Sequence, residues 1–336
     1  MKEAMFYEKL NGEVKCVLCP HNCRIKEEKR GICGVRENKN GKLYSLVYGK
    51  AIARHIDPIE KKPFFNFYPG STAYSIGTIG CNFRCKHCQN WDISQAPRDQ
   101  RESEYFGESF YPEEIVRTAI DYGCESVSYT YNEPTIFFEY AYDTSRIAKE
   151  KGLKNNFVTN GYMTKEALNM IKPYLDAANV DLKAFSDKFY REVCGARLDP
   201  VLESIKHMKK IGIWIEVTTL IIPTLNDSED ELREIAAFLR EVGPEIPWHI
   251  TRYHPAYKLT LPPTPVETIH RAREIGIEEG LRYVYTGNIP GDPGENTYCY
   301  NCGEMIIQRH GFGTVKNKVK NSRCPYCGTT IDGRGI

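Results

Sequence analysis

Three cysteines stand in the run Cys81-Asn82-Phe83-Arg84-Cys85-Lys86-His87-Cys88, spaced C-x3-C-x2-C directly after the apolar, strand-like stretch AYSIGTIG. Three thiolates on so short a loop can hold three irons of a four-iron, four-sulfur cluster. The fourth iron then lacks a protein ligand, and an open position on a cubane is where a small molecule binds and reacts. A zinc knuckle is the plainer alternative. It needs a fourth ligand, and His87, between Cys85 and Cys88, is cramped for simultaneous tetrahedral coordination.

Two further cysteine groups flank this loop. Cys299-Tyr300-Asn301-Cys302-Gly303 and Cys324-Pro325-Tyr326-Cys327-Gly328 are C-x2-C knuckles followed by Gly. That is close to a zinc-ribbon pattern, so zinc is expected at Cys299, Cys302, Cys324 and Cys327. The stretch between them, IIQRHGFGTVKNKVKNSR, is basic and fits a solvated face as well as an RNA contact. Near the start, Cys16, Cys19, Cys23 and Cys33 offer four more thiols. By ligand count they suit zinc or a second iron–sulfur cluster equally, as a fold staple or as a point of electron delivery. Cys124 reads as a core thiol and Cys194 as a helix-end thiol.

The chain has 336 residues, enough for one large α/β domain with small appendages. Lys plus Arg number 45 against 44 Asp plus Glu, so no global field favours polyanions. No apolar run approaches a membrane span, and MKEAMFYEKL lacks the pattern of a signal peptide, so a cytoplasmic protein without membrane contact is expected. Thirteen cysteines in such a setting argue for metal ligation and against disulfides.

Positioning these groups falls to a central βα series. Strands are expected at 73–79, 126–130, 155–159, 178–182, 213–219 and 248–252, with a possible seventh at 282–286. The segments PEEIVRTAIDYG, PTIFFEYAYDTSRIAKEKG, TKEALNMIKPYL, DPVLESIKHMKKIG and SEDELREIAAFLREVG read as helices. Regular alternation implies parallel strands with helical crossovers, and six units suit a partial (β/α)6 TIM-like barrel. Chemistry in such barrels sits at the C-terminal strand ends. The expected divisions are a Cys-rich N-terminal extension (1–70), the partial barrel (71–297) and a zinc-ribbon-like C-terminal module (298–336).

The C-x3-C-x2-C loop after the first barrel strand resembles the radical S-adenosylmethionine (SAM) superfamily. There SAM chelates the open iron and a cluster electron cleaves it to a 5′-deoxyadenosyl radical, so Cys81, Cys85 and Cys88 are the expected catalytic ligands. Within that superfamily the barrel is most similar to the pyruvate formate-lyase activating enzymes. Their Gly-Gly-Glu-Pro, which holds the methionine amino group of SAM, aligns with Tyr131-Asn132-Glu133-Pro134. Glu133 also suits the cap of the helix that follows. Thr159-Asn160-Gly161 matches their Thr-Asn-Gly, with Val158 replacing an acidic residue. Val180-Asp181-Leu182-Lys183 matches their Asp-Leu-Lys, and Lys183 would meet the methionine carboxylate, although an Asp–Lys pair at a barrel rim is also structurally ordinary. Tyr253-His254 resembles their Tyr-His, whose imidazole contacts the ribose. Thr218 or Thr219 stands where they carry an Arg. The resemblance thus implies SAM contacts from His87, Asn132, Glu133, Thr159, Asn160, Asp181, Lys183, Thr218 and His254.

Over the whole chain, CVLCPHNCRIKEEKRGICGVREN, SLVYGK, DPIEKKPFFNFYPGS and CNFRCKHCQNWDISQ resemble the radical SAM member of the AmmeMemoRadiSam set. This implies Memo-like and AMMECR-type partners and an electron donor such as ferredoxin or flavodoxin. The expected activity is SAM cleavage for hydrogen abstraction from a protein substrate. Modification of a small molecule or RNA, and a non-catalytic RNA- or protein-binding module, are the alternatives.

Overall fold

The computed structural model describes residues 1–99 and 107–336. At its centre is an eight-stranded sheet. In chain order its strands are β1 (Ala53–Pro58), β2 (Thr72–Gly77), β3 (Ser126–Tyr129), β4 (Lys154–Thr159), β5 (Ala177–Asp181), β6 (Trp214–Ile221), β7 (Trp248–Arg252) and β8 (Val284–Gly287). They are neighbours in that same order, β2 to β8 parallel and β1 antiparallel to β2. The expected partial barrel is present with two strands beyond its six units. β8 is the possible seventh, and β1 comes from the stretch expected to form the N-terminal extension.

The strands read as they do because both faces are covered. β3 is buried at all four residues, as a parallel strand between helices requires. The covering helices are α1 (Pro112–Asp121), α2 (Phe138–Glu150), α3 (Lys165–Ile171), α4 (Asp199–Lys210), α5 (Glu229–Val242) and α6 (Val266–Glu278). Local chemistry sets their starts: Pro112 lies in the first turn of α1, and the Ser228 side chain caps α5 by accepting from the Glu231 amide. Helix α6 was not anticipated, although Ile269, Ala272 and Ile275 mark its buried face.

The N-terminal section forms two small antiparallel sheets, at Tyr7–Leu10, Glu13–Cys16 and Arg24–Lys26 and at Lys2–Glu3, Arg36–Lys39 and Lys42–Ser45. Their apolar residues, among them Val14, Leu18, Val35 and Leu43, share one core with the main sheet. The C-terminal section forms a third, from Thr297–Tyr298, Met305–His310 and Gly313–Asn317. Its Ile306 and Ile307 pack with Phe65 and with Tyr283 and Tyr285, the latter on β8. Cys124 is buried in the main core, and Cys194, also buried, closes the helical turn Tyr190–Cys194.

Candidate active site

Parallel register brings residues distant in sequence to one level. Asp181 stands opposite Thr218, Thr218 opposite His249, and His249 opposite Tyr285. Above this row, at the C-terminal strand ends, opens a cavity of about 560 Å3. Cys81, Cys85, His87 and Cys88 line one side; Asn132, Glu133, Thr159, Asn160, Asp181, Lys183 and Thr218 are among the residues that line the rest. The exception is His254, which is exposed and absent from the wall. Tyr253 turns inward and bonds the Leu259 carbonyl at 2.8 Å, so its successor points outward.

The cysteine loop is held from several directions. The Arg84 and Lys86 amides donate to the Cys194 and Val193 carbonyls at 2.7 and 2.9 Å. The Phe83 amide donates to Cys81 Sγ at 3.3 Å, and Ser94 Oγ lies 3.1 Å from Cys88 Sγ. Asn132 Nδ2 donates to Thr78 Oγ1 and the Gly80 carbonyl, while its Oδ1 accepts from the Thr78 amide. Its side chain therefore fastens the loop after β3 to the loop after β2. Burial and the nearby Lys183 charge push His87 down to about 3, so the ring is neutral. Three thiols on one cavity wall, with N–H and O–H donors at two sulfurs, suit an iron–sulfur cluster.

Glu133 lines the cavity and also braces its frame. Its carboxylate accepts from the Thr135 amide and hydroxyl, the Thr159 hydroxyl at 2.7 Å and the Asn160 amide at 2.7 Å. Three donors meet Oε1 and one meets Oε2, so it ties the β3 and β4 ends together while Oε2 keeps acceptor capacity. Burial still pushes its pKa up. Thr218 is likewise engaged, donating to Asn179 at 2.9 Å. Gly161, at φ 70°, takes the left-handed turn after β4, where a Cβ would fall 2.8 Å from Val180.

Lys183 Nζ lies 2.9 Å from Asp181. Burial works against its charge, but Asp181 and the sulfurs of Cys85 and Cys194 outweigh that and raise its pKa. The pair forms a charged patch in the wall of the cavity facing the cysteine loop.

Sequence reasoning missed two groups. Glu216, fully buried, accepts from the Phe65 and Asn66 amides at 2.9 Å each and meets His249 Nε2 at 2.7 Å. It thereby holds residues 63–66 against the cavity face, where Pro63, Phe65 and His249 join the lining. The clue was a charged residue inside an otherwise buried strand. The second group is Asp57, which accepts from Lys61, Lys62 and the Tyr131 hydroxyl at 2.8, 2.7 and 2.6 Å. This clamp steadies Tyr131, which takes φ 69° where the activating enzymes carry glycine.

The C-terminal hairpin reaches the same cavity. Phe312 lines it, and the buried Arg309 donates to the Phe65 carbonyl and lies 3.5 Å from the buried Glu60. The expected solvated face is thus solvated on one side only. At the hairpin's base Cys299, Cys302, Cys324 and Cys327 have their sulfurs within 4.8 Å of one another, two pairs at 3.6 and 3.7 Å. A tetrahedral zinc with bonds of about 2.3 Å spaces its sulfurs by about 3.8 Å, so the donor set fits that metal. Hydrogen bonds from Thr329 bring Cys327 down to about 6.

Comparison with known proteins gives a consistent result. Residues 75–239 match the family model described as the radical SAM superfamily. An uncharacterized protein of Methanocaldococcus jannaschii is 53% identical over 337 residues, 99% of each chain. The pyruvate formate-lyase 1-activating enzyme of Escherichia coli K12 is 22% identical over 61% of this chain and 89% of its own. Among solved structures, Streptococcus suis SuiB bound to S-adenosylmethionine is similar in fold, with TM-score 0.51 at 17% identity over 68% of this chain. The matched part is 53% of SuiB, so this chain spans about half that protein's length.

Proposed function

This chain belongs to the radical SAM superfamily and is an enzyme with radical SAM chemistry, and from that premise we propose that it abstracts hydrogen from a protein substrate. Membership implies a four-iron cluster and SAM. When bound, they supply the electron and the 5′-deoxyadenosyl group that make the radical. The single observation that carries the reading is the shared cavity, in which Cys81, Cys85 and Cys88 face the Asp181–Lys183 pair. Lys183 would orient the methionine carboxylate, neutral His87 would sit against the bound cofactor, and the plug at 63–66 would keep water from the sheet side.

A protein substrate is favoured because the distant relatives are named for activating pyruvate formate-lyase, itself a protein. The zinc-ribbon-like hairpin, with exposed Phe312 at the cavity, would form part of the docking rim. We assign zinc to its four cysteines. Memo-like and AMMECR-type proteins are the partners this reading favours, with a low-potential ferredoxin or flavodoxin as donor. A cytoplasmic setting suits thirteen cysteines that form no disulfide. Among the described residues no helix is long and apolar enough to cross a membrane.

The test is direct. Anaerobically reconstituted, reduced protein should convert SAM to methionine and 5′-deoxyadenosine, and Cys81→Ala, Cys85→Ala and Cys88→Ala should each abolish this. Undiminished cleavage in the triple variant sinks the assignment. For the substrate, deuterium should reach 5′-deoxyadenosine from a labelled partner protein; robust transfer from a free metabolite with no partner bound would move the reading to small-molecule chemistry.

A further inference from the structure

The four N-terminal cysteines lie apart in sequence yet meet at one pocket. Cys16, Cys19, Cys23 and Cys33 line one pocket, together with Arg36 and Asn82. Their spacing differs from that of the C-terminal quartet. Among the described residues, only the latter brings three or more ligand atoms within 4.8 Å of one another. A zinc ion, with bonds of about 2.3 Å, requires that closeness. A quartet that lines a common pocket without that closeness suits a larger metal body, such as a cube of iron and sulfide.

The walls point the same way. Arg36 is 2% exposed, and its Nη2 donates to the buried Glu139 at 2.5 Å. Its Nε and Nη1 have no hydrogen-bond partner in the protein, although two bare guanidinium nitrogens in a core are costly. Four thiolates around a cubane present anionic sulfur on all sides, the acceptor such donors lack, and N–H bonds to those sulfurs tune its potential.

This pocket abuts the loop of the SAM-cleaving site. Gly80, next to Cys81, lies so close to the Cys33 carbonyl that a Cβ there would fall 2.7 Å from it. His21 Nε2, between Cys19 and Cys23 in sequence, lies 2.8 Å from the Asn82 carbonyl. Asn82 both lines the pocket and accepts from Asn160 Nδ2, which approaches Cys81 Sγ at 3.9 Å.

We propose that Cys16, Cys19, Cys23 and Cys33 bind a second four-iron, four-sulfur cluster that passes electrons to the cluster on the Cys81 loop. Each transfer moves one electron from a low-potential iron–sulfur or flavin protein to the N-terminal cluster and then to the Cys81 cluster, with no bond made or broken. The relay rests on the reading of the Cys81 loop given above; the binding site does not.

The triple variant Cys81→Ala/Cys85→Ala/Cys88→Ala separates the two. Reconstituted anaerobically with iron and sulfide, it should keep about four irons and four sulfides per chain and give the electron paramagnetic resonance signal of a reduced four-iron cluster. That signal should relax faster in reduced wild type, where a second paramagnet stands nearby. A triple variant without iron, or one with a second zinc in its place, overturns the site. Identical relaxation in the two proteins overturns the relay. Failure of SAM cleavage in a wild type whose variant still holds iron would instead count against the proposed activity.

Discussion

Lys183 and Asp57 show how one charge serves the cavity while another serves its frame. Lys183 pairs with Asp181 at the wall, and its charge survives burial because three anionic or polarisable neighbours support it. Replacing it with Ala should weaken SAM binding by about ten- to a hundredfold, the loss of one charge-assisted contact worth about 1.5–3 kcal/mol. Calorimetric titration of the reconstituted protein reads this, and an unchanged Kd would make the pair purely structural. At Asp57, burial pushes the carboxyl up, but bonds from Lys61, Lys62 and Tyr131 outweigh it and hold it well below the usual range. A folded pKa below the unfolded one stabilises the protein above the unfolded value, about 4, and the benefit is lost as pH falls through the folded one. Asp57→Asn should therefore destabilise the protein at pH 7, with the gap closing as the medium becomes acid. Urea denaturation across pH reads it; a gap independent of pH rules out the charge argument.

At the scale of elements, the C-terminal hairpin behaves as part of the barrel. Arg309 comes from the strand Met305–His310 and is fully buried against Glu60, Phe65 and Thr297. Arg309→Met leaves Glu60 an uncompensated buried charge, which should cost about 3–5 kcal/mol. Adding Glu60→Gln should restore part of it, because the remaining amide carries no charge to desolvate. The denaturation midpoints of the two variants check this, and equal midpoints would show that the pair contributes nothing as a pair. Of the run's cations Arg309 points inward, while Lys316, Lys320 and Arg323 are exposed, as a solvated face requires.

For the whole molecule, the four-cysteine site and the cavity are joined through the same hairpin. Cys324→Ser/Cys327→Ser should lose about one zinc per chain, and with it the order that places Phe312 at the cavity and Arg309 beneath Phe65. Thermal stability and SAM affinity should then fall together. Elemental analysis with a melting curve and a binding isotherm reads all three. If zinc is lost while affinity stands, the ribbon is independent of the SAM site.

The cysteine loop, the βα order and the zinc-ribbon spacing were legible because each depends on neighbours in sequence: ligands on one loop, and periodicity within one element. Asp181 and Lys183 were legible for the same reason, being two residues apart and on one side of a strand end. Glu216 with His249, Asp57 with Tyr131, and Arg309 with Glu60 come from separate elements, joined by sheet register and by packing of the flanks on the barrel. His254 was placed by its distance from a strand end, but the direction of a side chain after a strand depends on where its neighbour Tyr253 finds a partner. Sequence alone therefore determined which chemistry the chain can hold, since ligand type and short spacing are local. Tertiary structure decided which groups are free to meet a substrate and which are already spent holding the cavity together. Hydrogen-bond partners are filled by whatever folding brings near: three donors converge on Glu133 Oε1, while Oε2 meets the Asn160 amide.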